Sequence, residues 1–268
     1  MTSLAGVLGQ PVAHSRSPAM HNAAFRDLGL DWHYVKLPVP PELFEETVRA
    51  LPGSGYRGAN VTIPHKLAAL DVADSATPAA RAVGAANTLT FADGGGIEAD
   101  NTDAGGFVAA LGEPAAGRRV LVLGAGGAAR AVVWALVDAG AAEVSVWNRT
   151  PARAEELAAA FGARAAGERP GSVDIVVNTT SVGLHQGDTI EALPLSGLAP
   201  QTVVELVYRG DGSATPLAEW AASTGARVVD GLEVLVRQGA LSFTRWTGRE
   251  PSLEVMRAAA RGEISSET

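Results

Sequence analysis

The chain has 268 residues, 47% apolar and 19% charged, with 31 Gly, 15 Pro and no Cys; this excludes general disorder, collagen, coiled coil, disulfides, thiolate metal sites and Cys nucleophiles. A formal charge of −8 without a dense Arg cluster argues against nucleic acid as a partner. No uncharged apolar run reaches membrane-spanning length, no His-Glu-x-x-His pairing occurs among the five His, and no signal-peptide pattern opens the chain, so a cytoplasmic protein acting on small molecules is expected.

Residues 1–100 read as short strands alternating with helices. The apolar run 4–8 ends at Gly9, and 18–28 has helical spacing with Met20, Ala24 and Phe25 on one side. Residues 33–39 are strand-like, 41–51 helical, and 58–63 strand-like up to Pro64. Segments 87–91 and 97–99 flank Ala-Asp-Gly-Gly-Gly, a hairpin-like turn. The join over 101–117, with Gly105-Gly106 and Gly112, reads as a hinge.

From about 118 the alternation becomes regular. Strands are expected at 119–123, 143–147, 174–178, 202–208 and 227–229, with helical segments between them, which implies a parallel doubly wound sheet. Two helices, 232–247 and 252–261, close the chain and are expected to pack back on the first domain. The fold class is therefore α/β.

Gly124-Ala125-Gly126-Gly127-Ala128-Ala129 follows a strand and opens a helix. Glycines there let the backbone approach a pyrophosphate, which the helix N-terminus stabilises. About 24 residues on, where an NAD site carries an acidic residue for the ribose, stand Asn148, Arg149 and Thr150, with Arg153 one turn further. A guanidinium fork and a hydroxyl suit a 2′-phosphate, so NADP(H) is expected rather than NAD. The competing reading of Thr150 is a helix cap before Pro151.

Four clusters in the first hundred residues carry chemistry. His14-Ser15-Arg16-Ser17-Pro18 sets two hydroxyls before a Pro-started helix, either as ligand contacts or as caps. In Asn60-Val-Thr62-Ile-Pro64-His65-Lys66, strand alternation puts Asn60 and Thr62 on one face. Lys66 follows at a turn or helix start, where a cation is disfavoured and needs a reason. Of the 21 basic residues only Lys36 and Lys66 are lysine, which points to a need for lysine chemistry, with chance retention as the alternative. Ala86-Asn87-Thr88 and Asn101-Thr102-Asp103-Ala-Gly105 complete the set.

Together these clusters resemble the shikimate dehydrogenase family. The likeness continues through Gly124 to Arg130, Asn148-Arg149-Thr150, Asn178 to Gly183, Tyr208, Thr215-Pro216-Leu217 and Gly231 to Gln238, in order and over nearly the whole chain. It implies a mixed-sheet substrate domain over 1–101, completed by the helices over 232–268, and a Rossmann-type NADP domain over 102–231, with the active site in the cleft. It implies Ser15 and Ser17, with Tyr208, at the substrate carboxylate. Thr62, Lys66, Asn87, Asp103 and Gln238 would surround the ring hydroxyls. Gly124, Ala125, Gly126, Gly127, Ala128 and Ala129 would hold the pyrophosphate, and Leu206 and Gly231 would lie near the nicotinamide.

The implied reaction is NADPH-dependent reversible reduction of 3-dehydroshikimate to shikimate, a step toward chorismate and aromatic amino acids. Lys66 would donate the proton, alone or as a coupled pair with Asp103. The alternative is a quinate/shikimate dehydrogenase with relaxed NAD/NADP use, although the extra hydroxyl of quinate would crowd Ser15 and Ser17. A non-enzymatic dinucleotide sensor is a more distant alternative, against which the intact Lys66 and Asp103 argue. A monomer and a homodimer are both compatible with the sequence. Departures from the family pattern are Glu205 for the usual Asp, Val234 for Met, Gly239 for Ala and Pro78 for Glu.

Overall fold

A computed structural model describes residues 2–167 and 170–264. The chain divides into two compact units, one formed by Met1–Gly106 with Leu235–Thr268 and the other by Phe107–Val234.

The first unit begins with β1 (Ser3–Gly9), α1 (Ser17–Asp27), β2 (Trp32–Pro38), α2 (Phe44–Ala50), β3 (Tyr56–Val61) and α3 (Lys66–Asp71). Then come β4 (Ser75–Ala76), α4 (Pro78–Val83), β5 (Thr88–Phe91), β6 (Ile97–Asp100) and α5 (Thr102–Leu111). Its sheet has the order β2-β1-β3-β5-β6-β4. β2, β1 and β3 run parallel. β5 is antiparallel to β3 and to β6, which makes the sheet mixed. The segment expected as one helix over 41–51 splits into a 3₁₀ turn, Pro41–Leu43, and α2.

On one face of this sheet Leu8, Phe44, Val48, Val61 and Leu89 form a core. Elsewhere in the unit His21 is fully buried among Phe25, Tyr34, Phe243 and Trp246, its ring stacked 4.4 Å from that of Tyr34. Burial pushes the His21 pKa down to about 3, so the ring stays neutral in this aromatic cluster.

The second unit contains β7 (Arg119–Leu123), α6 (Gly127–Asp138), β8 (Glu143–Trp147), α7 (Pro151–Phe161), β9 (Arg164–Ala165), β10 (Ile175–Asn178), β11 (Thr202–Glu205), α8 (Pro216–Ser223) and β12 (Arg227–Val229). The sheet order is β12-β11-β10-β7-β8-β9, with every pairing parallel. The strand order reverses between β7 and β10, the position at which doubly wound sheets bind ligands. Val and Leu runs in β7, β10 and β11 are buried on both faces, as a parallel sheet under helices requires.

α9 (Gly231–Thr247) and α10 (Leu253–Arg261) end the described chain, with α10 packed on α1. The division between units therefore falls inside α5 and inside α9. Gly105 and Gly106, expected as hinge material, are helical residues of α5. The smallness of Gly106 answers to packing, because a Cβ there would lie 2.5 Å from Gln238 Cβ on α9. Among the described residues no helix is long and apolar enough to cross a membrane.

Candidate functional site

In the first unit, Lys66 is the opening residue of α3. Its neighbour His65 anchors it. The His65 ring stacks on Phe44 at 4.4 Å and Nε2 donates to the Val39 carbonyl at 2.7 Å. With its backbone fixed there, Lys66 Nζ donates to Asp103 Oδ2 at 2.6 Å, both side chains being less than a fifth exposed. The ion pair answers the electrostatic objection to a cation at a helix start. The other lysine, Lys36, is a surface residue bonded to the Ala13 carbonyl.

Asp103 lies in the first turn of α5, which follows directly from β6. Its second oxygen, Oδ1, accepts from Asn87 Nδ2 at 2.8 Å. Asn87 Nδ2 also reaches Gln238 Oε1 at 3.1 Å. Lys66, Asn87, Asp103 and Gln238 therefore form one cluster, drawn from four separated stretches of chain.

Ser15 Oγ accepts from the Ser17 N–H at 3.2 Å, while the N-cap residue of α1 is Arg16 with no side-chain capping bond, and Ser17 is buried in the first turn of α1. β3 ends at Val61, one residue before Thr62, although the Thr62 N–H still donates to the Leu8 carbonyl of β1 at 2.9 Å. Asn60 points into a buried polar network, while Thr62 sits in the following turn, its carbonyl accepting from the His65 N–H.

In the second unit, Gly124 has φ +111°, and a Cβ there would lie 2.4 Å from Thr179 Oγ1, at the end of β10. Only glycine fits that crossing of β7 and β10. Ala125 and Gly126 lead into α6, which starts at Gly127 and continues through Ala128 and Ala129. The Gly124 N–H donates to the Trp147 carbonyl at 2.7 Å, bringing the end of β8 beside the glycine turn. Asn148 Nδ2 then donates to the Thr150 carbonyl at 3.0 Å. Arg149, Thr150 and Arg153 are exposed. Thr150 is the N-cap residue of α7, yet its hydroxyl makes no capping bond. Leu206 and Tyr208 follow β11, and Gly231 abuts the Leu206 and Val207 carbonyls.

Glu205, conspicuous in the sequence only as a departure, is a structural junction of this unit. Its Oε1 accepts from Asn178 Nδ2 at 2.8 Å and from the Val207 N–H at 3.1 Å; Oε2 accepts from Thr215 Oγ1 at 3.0 Å. Burial pushes its pKa up to about 7 against the pull of these hydrogen bonds. Of the buried hydroxyls behind Asn87, Thr88 and Thr102 stood in the sequence clusters without a role of their own, and Ser242 was missed. Ser242 stands four residues after Gln238, on the same helical face, which was the signal for it. Among the described residues no group of three His, Asp or Glu side chains could hold a metal ion.

Residues 7–89 match the family model described as the shikimate dehydrogenase substrate binding domain. Residues 109–181 match shikimate / quinate 5-dehydrogenase, and 231–261 the shikimate 5′-dehydrogenase C-terminal domain. A shikimate dehydrogenase (NADP(+)) of Paracoccus denitrificans (strain Pd 1222) is 46% identical over 94% of this chain and 93% of its own length. One from Ruegeria sp. (strain TM1040) is 43% identical over 97% of both. The crystal structure of shikimate 5-dehydrogenase from Thermus thermophilus in complex with NADP(H) and shikimate superposes with a TM-score of 0.87. It is 41% identical over 98% of this chain and 100% of its own. With three family models in chain order and relatives alike over nearly its full length, the chain belongs to the shikimate dehydrogenase (NADP(+)) family.

Proposed function

We propose that this protein catalyses the NADP(H)-dependent interconversion of 3-dehydroshikimate and shikimate. The observation that carries the reading is the Lys66–Asp103 pair, a 2.6 Å contact whose carboxylate is held on its other oxygen by Asn87. On a family member, such a pair supplies a proton donor with a fixed direction.

Lys66 Nζ gives a proton to the C3 oxygen as the ketone is reduced, and takes it back when shikimate is oxidised. Asp103 keeps the ammonium aimed and compensates its charge. Asn87 and Gln238, whose amides meet at 3.1 Å, are assigned to the ring hydroxyls together with Thr62. Ser15 and Ser17 are assigned to the carboxylate, at the N-terminus of α1.

The residues of the second unit suit the dinucleotide. The crossing at Gly124 leaves no room for a side chain, and the exposed N-terminus of α6 offers N–H groups to a pyrophosphate. Arg149 and Arg153, exposed beside the uncapped Thr150, suit a 2′-phosphate. The bound nicotinamide supplies or accepts the hydride. The protein's part is orientation and the proton.

Replacing Lys66 tests the reading. Lys66→Ala is expected to lower kcat by about 10²–10⁴, the range for general acid–base catalysis, with NADP⁺ affinity retained. Lys66→Arg is expected not to restore turnover, because a guanidinium holds its proton at any working pH. Near-normal kcat for Lys66→Arg would make position 66 an electrostatic site and overturn its role in proton transfer.

A further inference from the structure

Behind the Lys66–Asp103 pair lies a buried hydrogen-bonded network that reaches α9. Thr88 and Ser242 are fully buried and Thr102 is 4% exposed. Their hydroxyls form a triangle, with Thr88–Thr102 at 3.0 Å, Thr88–Ser242 at 2.9 Å and Thr102–Ser242 at 3.1 Å. An asparagine stands on each side of it.

Both asparagine amides have a single consistent orientation. Asn60 faces the main-chain carbonyl of Asn87, which can only accept, so its nitrogen lies on that side. Asn60 Nδ2 thereby also donates to Ser242 Oγ at 2.8 Å and Thr88 Oγ1 at 3.2 Å, while Oδ1 accepts from the Tyr34 hydroxyl at 2.8 Å. Asn87 faces the Thr102 N–H, which can only donate, so Oδ1 takes that proton at 2.7 Å. Asn87 Nδ2 is then turned toward Asp103 Oδ1. The Thr88 hydroxyl lies 3.2 Å from Asn87 Oδ1 and reinforces the orientation, while Thr102 Oγ1 lies 3.0 Å from Nδ2 and 3.2 Å from Oδ1.

Ser242 is the junction. It accepts from Asn60, contacts both threonines and donates to the Gln238 carbonyl at 3.2 Å. Without its oxygen, Asn60 and both threonine hydroxyls each lose a partner in a buried site, and their protons must be re-aimed. Both threonine hydroxyls touch the Asn87 amide, and among the described residues Asn87 is the only neutral donor to the Asp103 carboxylate.

We infer that Ser242 is a positioning residue for proton transfer. Through Thr88, Thr102 and Asn60 it locks the Asn87 amide on Asp103, and so fixes the direction of the Lys66 ammonium. The inference rests on the reading of Lys66 and Asp103 as the proton-transfer pair.

Steady-state kinetics with shikimate and NADP⁺ test it on four variants. Ser242→Ala is expected to lower kcat roughly five- to tenfold, the effect of one lost hydrogen bond, with KM for shikimate changed less than about twofold. Thr88→Val, which keeps volume but removes the hydroxyl, is expected to match it. Thr88→Ser, which keeps the hydroxyl and loses the methyl, is expected to restore kcat. It decides the matter even if Ser242→Ala does not fold. Equal kcat in Thr88→Ser and Thr88→Val, or losses in KM alone, would reduce the network to packing. Lys66→Ala completes the set. If its kcat falls while Ser242→Ala and Thr88→Val stay normal, the positioning role is overturned and the catalytic pair stands. If Lys66→Ala itself keeps kcat, the reading beneath both is overturned.

Discussion

Glu205 shows how one residue can be set against its own surroundings. Four donors, from Val207, Thr215, Asn178 and Leu206, favour its carboxylate form, yet burial outweighs them and lifts the pKa from 4.5 to about 7. The folded state therefore holds a proton that the unfolded chain has already released between about pH 4.5 and 7. Stability falls as pH rises through that window, the opposite of a carboxylate paired with a cation. Glutamine at 205 would keep an acceptor for the Asn178 and Val207 N–H groups and could turn its own N–H toward Thr215. Melting curves of wild type and Glu205→Gln are thus expected to lie close at pH 5 and to separate in favour of the variant by pH 8. The upper bound is about 3 kcal/mol, from roughly two and a half pKa units. A gap that is constant over this range would mean that Glu205 is ionised throughout.

At the scale of the elements, two adjacent glycines of α5 have opposite reasons to be there. A Cβ on Gly105 would meet only Leu241 Cδ1, at 3.0 Å, the far end of a half-exposed side chain that can move. A Cβ on Gly106 would lie 2.6 Å from the Gln238 backbone nitrogen, which cannot. Gly105→Ala is expected to be neutral or to stabilise by up to about 1 kcal/mol, through helix propensity. Gly106→Ala should cost about 3 kcal/mol, the upper range of overpacking, and lower activity by displacing Gln238. Thermal melts of the two variants check this, and equal effects would disprove the packing argument. The same pair marks the boundary of what was legible in the sequence. Strands such as β7 and β8, and the glycine turn between β7 and α6, were visible because buried strands and turns have local signatures. Gly105-Gly106, expected as hinge material, are helical and stand at the boundary between the units; the helix was not legible because adjacent glycines read as breakers unless the partner helix is known. β4 and β9, two residues each, are too short to show alternation. Lys66, Asn87 and Asp103 stood out by residue type and spacing. The hydroxyl triangle did not, because residues 88, 102 and 242 come together only in the folded sheet and helix.

For the whole molecule, chain path decides how the two units share stability. The chain enters the second unit within α5 and leaves it within α9, so each crossing lies inside a helix. Unfolding either unit strips part of both helices from the other, and helix ends fray at a cost to their neighbours. The expectation is one cooperative transition, with calorimetric and van't Hoff enthalpies in agreement. The five tryptophans allow a sharper test, because Trp32 and Trp246 belong to the first unit and Trp134, Trp147 and Trp220 to the second. A variant with Phe at 134, 147 and 220 reports fluorescence from the first unit alone. Saturation with NADP⁺ at about a hundred times its Kd adds roughly 2.7 kcal/mol to the folded state, or about 5–10 °C in Tm for units of this size. If the units unfold as one, tryptophan fluorescence from the first unit should rise in Tm by the same amount as circular dichroism of the whole chain. A fluorescence transition that stays in place while the dichroism moves would show that the two units melt independently, despite the helices that join them.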